Sequence, residues 1–162
     1  MGGWYIRVEM ENIFMKIHCI GIGGIGISAL ARYYVSRGHS VSGSDTSTSE
    51  IIETLRKEGI TVHIGHSKEH IKDDIDLVVY TIAIADSNEE LYESKIKNIS
   101  TKTYPEALGD VTREKTTIAI SGTHGKTTTT AMMYYAMKAC GINPTVIVGS
   151  LLADHGTNFV VG

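Results

Sequence analysis

Short apolar runs alternate with stretches of helical period from Met15 onward, the pattern of parallel β/α units. The spacing predicts a strand at Lys16–Ile20, a glycine-rich turn, and a helix to about Arg37 with Gly38 as its stop signal. A short strand over 40–42 ends at Ser44-Asp45, a helix follows at 49–58, and strands follow at Thr61–Ile64 and 77–81. Next come a polar helix at 88–97, a strand at Ser100–Thr103 and a helical turn at 105–108. After the charged stretch 110–115 a second unit begins, with a strand at 116–120, a loop at 121–125 and a helix at Lys126–Ala139. Gly141 caps that helix, and Asn143-Pro144 turns the chain into a strand at 145–148. This pattern divides the chain into a leader at 1–14, a first domain at 15–113 and a second unit at 114–162. The second unit is too short to cover both faces of a parallel sheet, so it is expected to be the N-terminal part of a larger domain. Its helix carries Met132-Met-Tyr-Tyr-Ala-Met137, apolar nearly all round, and is expected to lie between a sheet and another layer.

Composition narrows the function classes. With 42% hydrophobic and 20% charged residues, the 162-residue chain has the make-up of a soluble globular protein. A formal net charge of -3 gives no bulk attraction for nucleic acid, so an anionic ligand must be held locally. No apolar run is long enough to span a membrane, and no charged leader precedes a short apolar stretch; the sequence reads as cytoplasmic. Cys19 and Cys140 form neither a disulfide framework nor a zinc motif, and Cys19 reads as a buried strand thiol.

Two loops carry the candidate chemistry. Gly21-Ile-Gly-Gly-Ile-Gly26 lies between a strand and a helix and matches the dinucleotide fingerprint. Its glycines allow a tight turn and close approach to a diphosphate, and the helix start offers free N–H groups. Asp45 stands about 20 residues further on, where an acid usually meets a ribose hydroxyl. Gly122-Thr-His-Gly-Lys-Thr-Thr128 ends as a P-loop ends, in Gly125-Lys126-Thr127 at a helix start, although Ile120 stands where the first glycine of the full motif belongs. There the backbone would cradle phosphates, Lys126 would reach the β- and γ-phosphates, and the Thr127 hydroxyl would meet Mg²⁺. Thr127, Thr128, Thr129 and Thr130 are poor helix formers in a row, which propensity alone would not choose. Taken alone, the first loop also fits a nicotinamide-dependent oxidoreductase, and the second a P-loop ATP-binding module.

Weaker signals read as structure. His63, His66 and His70 straddle a predicted strand end and share no helical face, so they read as solvent-exposed histidines and not as a metal site. Glu89, Glu90 and Glu93, facing Lys95 and Lys97, read as the solvated side of a helix.

The two loops, in this order in one chain, resemble the Mur ligases. The residues carrying the resemblance are His18 to Ser28, Val41-Ser-Gly-Ser-Asp45, Asp76 to Ile84 with Asn88-Glu89, Gly122 to Thr130, Asn143 to Gly149 and Gly156-Thr-Asn158. They cover roughly 15–162. Thr81 stands where the family often has serine. The resemblance implies a Rossmann-like parallel-sheet domain followed by the start of a P-loop-type α/β ATP-binding domain. Histidine at His124 and the glycine-rich first loop point to the branch that joins L-alanine to UDP-N-acetylmuramate through an acyl phosphate, in peptidoglycan precursor synthesis. The murein-peptide branch shares the histidine but has a less glycine-rich first loop. The resemblance further implies that Gly21, Gly23, Gly24, Ile25, Gly26, Ser44, Asp45, His66 and Thr81 hold UDP-N-acetylmuramate. Gly122, Thr123, His124, Gly125, Lys126, Thr127 and Thr128 would hold ATP, with Lys126 catalytic and Thr127 a Mg²⁺ ligand. The family's acidic metal-binding segment and its amino-acid domain would follow Gly162, so the chain is expected to be inactive as a ligase without that C-terminal part.

Overall fold

The computed structural model describes residues 14–113, 115–152 and 154–162; the stretch read as a leader lies outside them except for Phe14. Five strands, β1 (Lys16–Ile20), β2 (Ser40–Asp45), β3 (Thr61–Ile64), β4 (Leu77–Tyr80) and β5 (Ser100–Thr103), form one parallel sheet in the order β3-β2-β1-β4-β5. Register is continuous, with Cys19 opposite Gly43 on one side and Val79 on the other. Strand alternation sends Ile17, Cys19, Val41, Val62, Leu77 and Val79 to one face. Helices α1 (Ile25–Ser36), α2 (Glu50–Lys57) and α4 (Tyr104–Arg113) cover that face through Leu30, Leu55 and Ala107. The other face carries Ile20 and Val78, covered by Ile71, which follows a 3-10 turn at Lys68–His70, and by Leu91 of α3 (Glu89–Ile96). Each such side chain, fully buried, contributes about 1.5–3 kcal/mol.

Most predicted elements stand within a few residues of their expected bounds; α4 is longer than the turn expected, and two short elements were not anticipated. These are the 3-10 turn and a final strand, β7 (Thr157–Val160), which pairs antiparallel with β6 (Val146–Leu152). Helix α5 (Lys126–Ala139) lies against one side of this hairpin, where Tyr134 packs on Val146, Val148 and Leu152. The other side sits on α1, and Phe159 meets Tyr33 edge-on at a ring separation of 6.2 Å. This explains why α1 buries an unbroken run from Ile27 to Tyr34: the sheet covers one flank and the hairpin the other.

Two expectations fail. Residues 116–120 form no strand, and Ile118 is 61% exposed. A strand needs a hydrogen-bonded neighbour, and none lies beside this segment among the described residues. Helix α5 is not sandwiched either; Tyr134 is its buried side chain, while Met132 and Tyr135 are exposed. The hairpin covers a single stripe, so the rest of the apolar surface faces outward. Among the described residues, no helix is long and apolar enough to cross a membrane.

Candidate nucleotide-binding sites

The first glycine loop is held from within. The N–H groups of Gly21 and Ile22 both donate to the Ser44 carbonyl (2.8 and 3.0 Å), and that of Gly24 donates to the Gly21 carbonyl (3.0 Å). Asp45 Oδ2 accepts the Gly23 N–H at 2.9 Å, while its Oδ1 accepts the Thr46 N–H at 2.8 Å. Asp45 therefore braces the loop. Hydrogen bonding inside α1 begins at Ser28, whose N–H donates to the Gly24 carbonyl. The N–H groups of Ile25, Gly26 and Ile27 point out of the helix start, together with its partial positive charge. An anion placed here would meet these three donors, because the earlier N–H groups are already committed.

The glycines answer to different neighbours. Gly21 has φ +78°, and a Cβ there would lie 2.6 Å from the Thr81 methyl, so Thr81 packs directly on the turn. A Cβ on Gly23 would come within 2.9 Å of Asp45 Oδ2. At Gly26 the obstacle is Tyr104, whose ring carbon would be 2.7 Å away. Gly26 is thus small to admit the first residue of α4.

Beneath the loop lies a polar cluster that the sequence reading missed. Glu90 and His18 are both fully buried. Glu90 Oε2 accepts from Ser44 Oγ (2.5 Å) and His66 Nδ1 (3.1 Å); its Oε1 accepts from His70 Nδ1 (2.6 Å) and lies 3.7 Å from His18 Nε2. Burial alone would raise this carboxyl; the nearby His18 ring and the hydrogen bonds from Ser44 and His70 outweigh it and hold the group at about 2, although His18 Nε2 stands too far off to hydrogen-bond it. The position also favours charge, because Glu90 stands in the first turn of α3, whose N-terminus is capped by Asn88. Glu90 is therefore no solvated face, and His66 and His70 are not solvent-exposed: they are drawn to the carboxylate, while His63 stacks on His70 at 4.1 Å. No group of three or more such side chains is arranged to hold a metal ion among the described residues. A signal was available. A histidine inside β1, a strand covered on both faces, must find a partner, and an acid beside Leu91 near a helix start can supply it. Burial pushes the Cys19 thiol up to about 12, in keeping with a packing role.

The second loop is open to solvent. Gly122 and Gly125 have φ of +150° and +77°, which the turn requires and other residues resist. Lys126 Nζ donates to the carbonyls of Gly122 (2.5 Å) and Thr123 (3.3 Å), folding over its own loop. Bonding inside α5 begins when the Thr129 N–H donates to the Gly125 carbonyl, so those of Lys126, Thr127 and Thr128 remain available at the helix start. The Thr130 hydroxyl is spent on the Lys126 carbonyl, whereas no hydrogen bond takes up that of Thr127 among the described residues. His124 is exposed at the crest.

A parallel α/β sheet with an anion-ready helix start at α1, and a second such start on a Gly-Lys-Thr loop at α5, defines an α/β protein with two candidate phosphate-binding loops. The family described as "Mur ligase family, catalytic domain" matches residues 16–116. The chain belongs to the Mur ligase family. The UDP-N-acetylmuramate–L-alanine ligase of Clostridium beijerinckii is 49% identical over 148 residues, which are 91% of this chain and 32% of that protein. That of Hydrogenobaculum sp. is 42% identical over 149 residues, 92% of this chain and 33% of that protein. The crystal structure of the Thermotoga maritima UDP-N-acetylmuramate–alanine ligase superimposes with a TM-score of 0.86 at 36% identity, over 91% of this chain and 35% of that one. A murein peptide ligase from Psychrobacter arcticus gives 0.84 at 27% identity, over 91% and 33%. The chain thus spans about a third of the length of these ligases.

Proposed function

We propose that this chain is the nucleotide-binding portion of an ATP-dependent ligase that joins L-alanine to UDP-N-acetylmuramate, with a division near residue 113 between the part that holds the UDP-sugar and the part that holds ATP. The observation that carries the reading is the pairing of two free helix starts, at Ile25-Gly26-Ile27 and at Lys126-Thr127-Thr128, in a chain 49% identical to a protein of that name. An oxidoreductase reading accounts for the first loop and leaves the second without a purpose.

In this reading the diphosphate rests on the N–H groups of Ile25, Gly26 and Ile27, with Gly21, Gly23 and Gly24 shaping the turn. Ser44, Asp45, His66 and Thr81 border the uridine end. Residues Gly122, Thr123, His124, Gly125, Lys126, Thr127 and Thr128 take the ATP phosphates. A carboxylate is a poor acyl donor, so phosphorylation by ATP supplies an acyl phosphate that the amine of L-alanine can attack. Lys126 would leave its two loop carbonyls to neutralise charge on the transferring phosphoryl group. The uncommitted hydroxyl of Thr127 fits the oxygen preference of Mg²⁺, which when bound would offset phosphate charge. Calorimetry on the 162-residue chain tests the reading: measurable affinity for UDP-N-acetylmuramate and for Mg-ATP supports it. Affinity for NAD⁺ without response to the UDP-sugar overturns it.

A further inference from the structure

The hydrogen bonds around Glu90 settle where the protons lie. The carboxylate is ionised and has no proton to give, and the one hydroxyl proton of Ser44 is directed at Oε2. The proton between His66 Nδ1 and Oε2 must therefore belong to the imidazole. In the neutral ring this leaves Nε2 with a lone pair. That atom is buried and has no hydrogen-bond partner among the described residues. His66 follows the carboxyl end of β3, the side of a parallel sheet on which ligands bind. It is also tied to the first loop. The Gly65 N–H donates to the Asp45 carbonyl at 2.7 Å, and His66 Nδ1 lies 3.0 Å from the hydroxyl of Ser44, whose carbonyl holds Gly21 and Ile22.

We propose that Glu90 is a positioning residue that aims His66 so that Nε2 accepts a hydrogen bond from a donor of the bound nucleoside, either the ring imide N–H or a ribose hydroxyl. The inference rests on the reading of the first loop as a uridine diphosphate site. Glu90 itself touches no ligand. A Glu90 that merely stiffened the fold would leave ligand discrimination unchanged, whereas one acting through His66 makes a single donor of the nucleoside matter.

The test uses the 162-residue chain, with uridine diphosphate and its N3-methyl, 2′-deoxy and 3′-deoxy forms as probes. Long-range proton–nitrogen spectra should show His66 Nε2 as an unprotonated ring nitrogen that shifts when uridine diphosphate is added. By calorimetry, Glu90→Gln and His66→Ala should each weaken uridine diphosphate by about tenfold, the effect of one hydrogen bond, with the double variant no weaker than His66→Ala. One of the three analogues should lose a similar factor on the wild type and nothing on His66→Ala, which names the donor. Losses that multiply in the double variant, or both variants binding like the wild type, overturn the proposal. Should Glu90→Gln not fold, the wild-type spectrum carries the test of Glu90: a His66 ring protonated at Nε2 overturns the proposal, and one protonated at Nδ1, with analogue discrimination lost in His66→Ala, supports it. A wild type without affinity for uridine diphosphate fails differently, removing the underlying reading and the inference with it.

Discussion

Arg32 on α1 and Asn158 on β7 meet across 126 residues of chain, the guanidinium Nη1 donating to the amide oxygen at 2.6 Å. The amide nitrogen of Asn158 turns the other way, donating to Ser28 Oγ at 2.8 Å and to the carbonyl of Ile25. Asn158 is fully buried, and Arg32 is held from its far side by Glu58 at 2.8 Å. Among the described residues, no fully buried side-chain polar atom at this joint is left without a partner. The residue that locks the hairpin to α1 therefore also grips the first turn of the helix that starts at the glycine loop.

Asn158→Leu keeps the volume and removes its three bonds, to Arg32, Ser28 and Ile25, leaving the guanidinium with Glu58 alone. A loss of roughly 2–3 kcal/mol is expected from the unpaired groups. Urea unfolding followed by circular dichroism measures it; a change within about 0.5 kcal/mol, as at a surface site, would mean that the joint contributes nothing.

Gly26→Ala places a methyl against the ring of Tyr104 and should destabilise the fold by about 1–3 kcal/mol, the usual range for overpacking. In a Tyr104→Ala background the same change should become neutral or stabilising, because alanine is the better helix residue by about 1 kcal/mol. If Gly26→Ala costs the same in both backgrounds, Tyr104 is not the reason for the glycine.

The Glu90 cluster makes stability depend on acid. Its carboxyl sits at about 2 in the folded chain and near the ordinary carboxylate range once unfolded. A lowered folded value means that the stabilisation is complete above about pH 4.3, is lost as pH falls toward 2, and amounts to about 3 kcal/mol. His63 adds to the trend: burial, then the neighbouring His70 and His18, hold it down against Glu90, so the unfolded chain takes up this proton first and the folded state loses ground as pH falls below about 6.5. Denaturant midpoints at pH 7, 4.5 and 3 should show the gap between wild type and Glu90→Gln closing toward acid. A constant gap would refute the assignment.

Strands β1 and β3 were legible as short runs closed by Gly21 and Gly65, β2 closes on Asp45, and β4 is the apolar run Leu77–Tyr80. Helices α1 and α2 end before Gly38 and Gly59, and Ser49 and Asn88 cap α2 and α3 with side-chain hydrogen bonds. Both loops were legible for the same local reason. What escaped depends on distance. Glu90 looks like Glu89 and Glu93 along the chain, and only the arrival of β1 and β2 beneath α3 turns it inward, toward His18 and Ser44. Asp45 stands at the expected place, yet its carboxylate braces Gly23, which spacing could not show. Residues 116–120 have the composition of a strand, and composition cannot supply the neighbour with which a strand must pair.

Lys126 belongs to its loop and not to the core. Its ammonium is exposed and bound to two carbonyls of its own loop, so replacing it with alanine should alter stability by no more than about 0.5 kcal/mol. Its effect on ATP should be larger. A cation that leaves the loop to sit on the β- and γ-phosphates contributes charge-assisted hydrogen bonds, and removing it should weaken Mg-ATP by at least about tenfold. In a version of the protein extended to the full length of its relatives, turnover should fall by roughly a hundredfold or more, because the same charge is aimed at the transferring phosphoryl group. UDP-N-acetylmuramate should bind as before, since its proposed donors lie on α1. Calorimetry with both ligands, beside steady-state rates, separates these outcomes. An alanine variant with unchanged Mg-ATP affinity and turnover would show that residues 122–128 are an ordinary turn before α5, and the ATP half of the proposed function would fall.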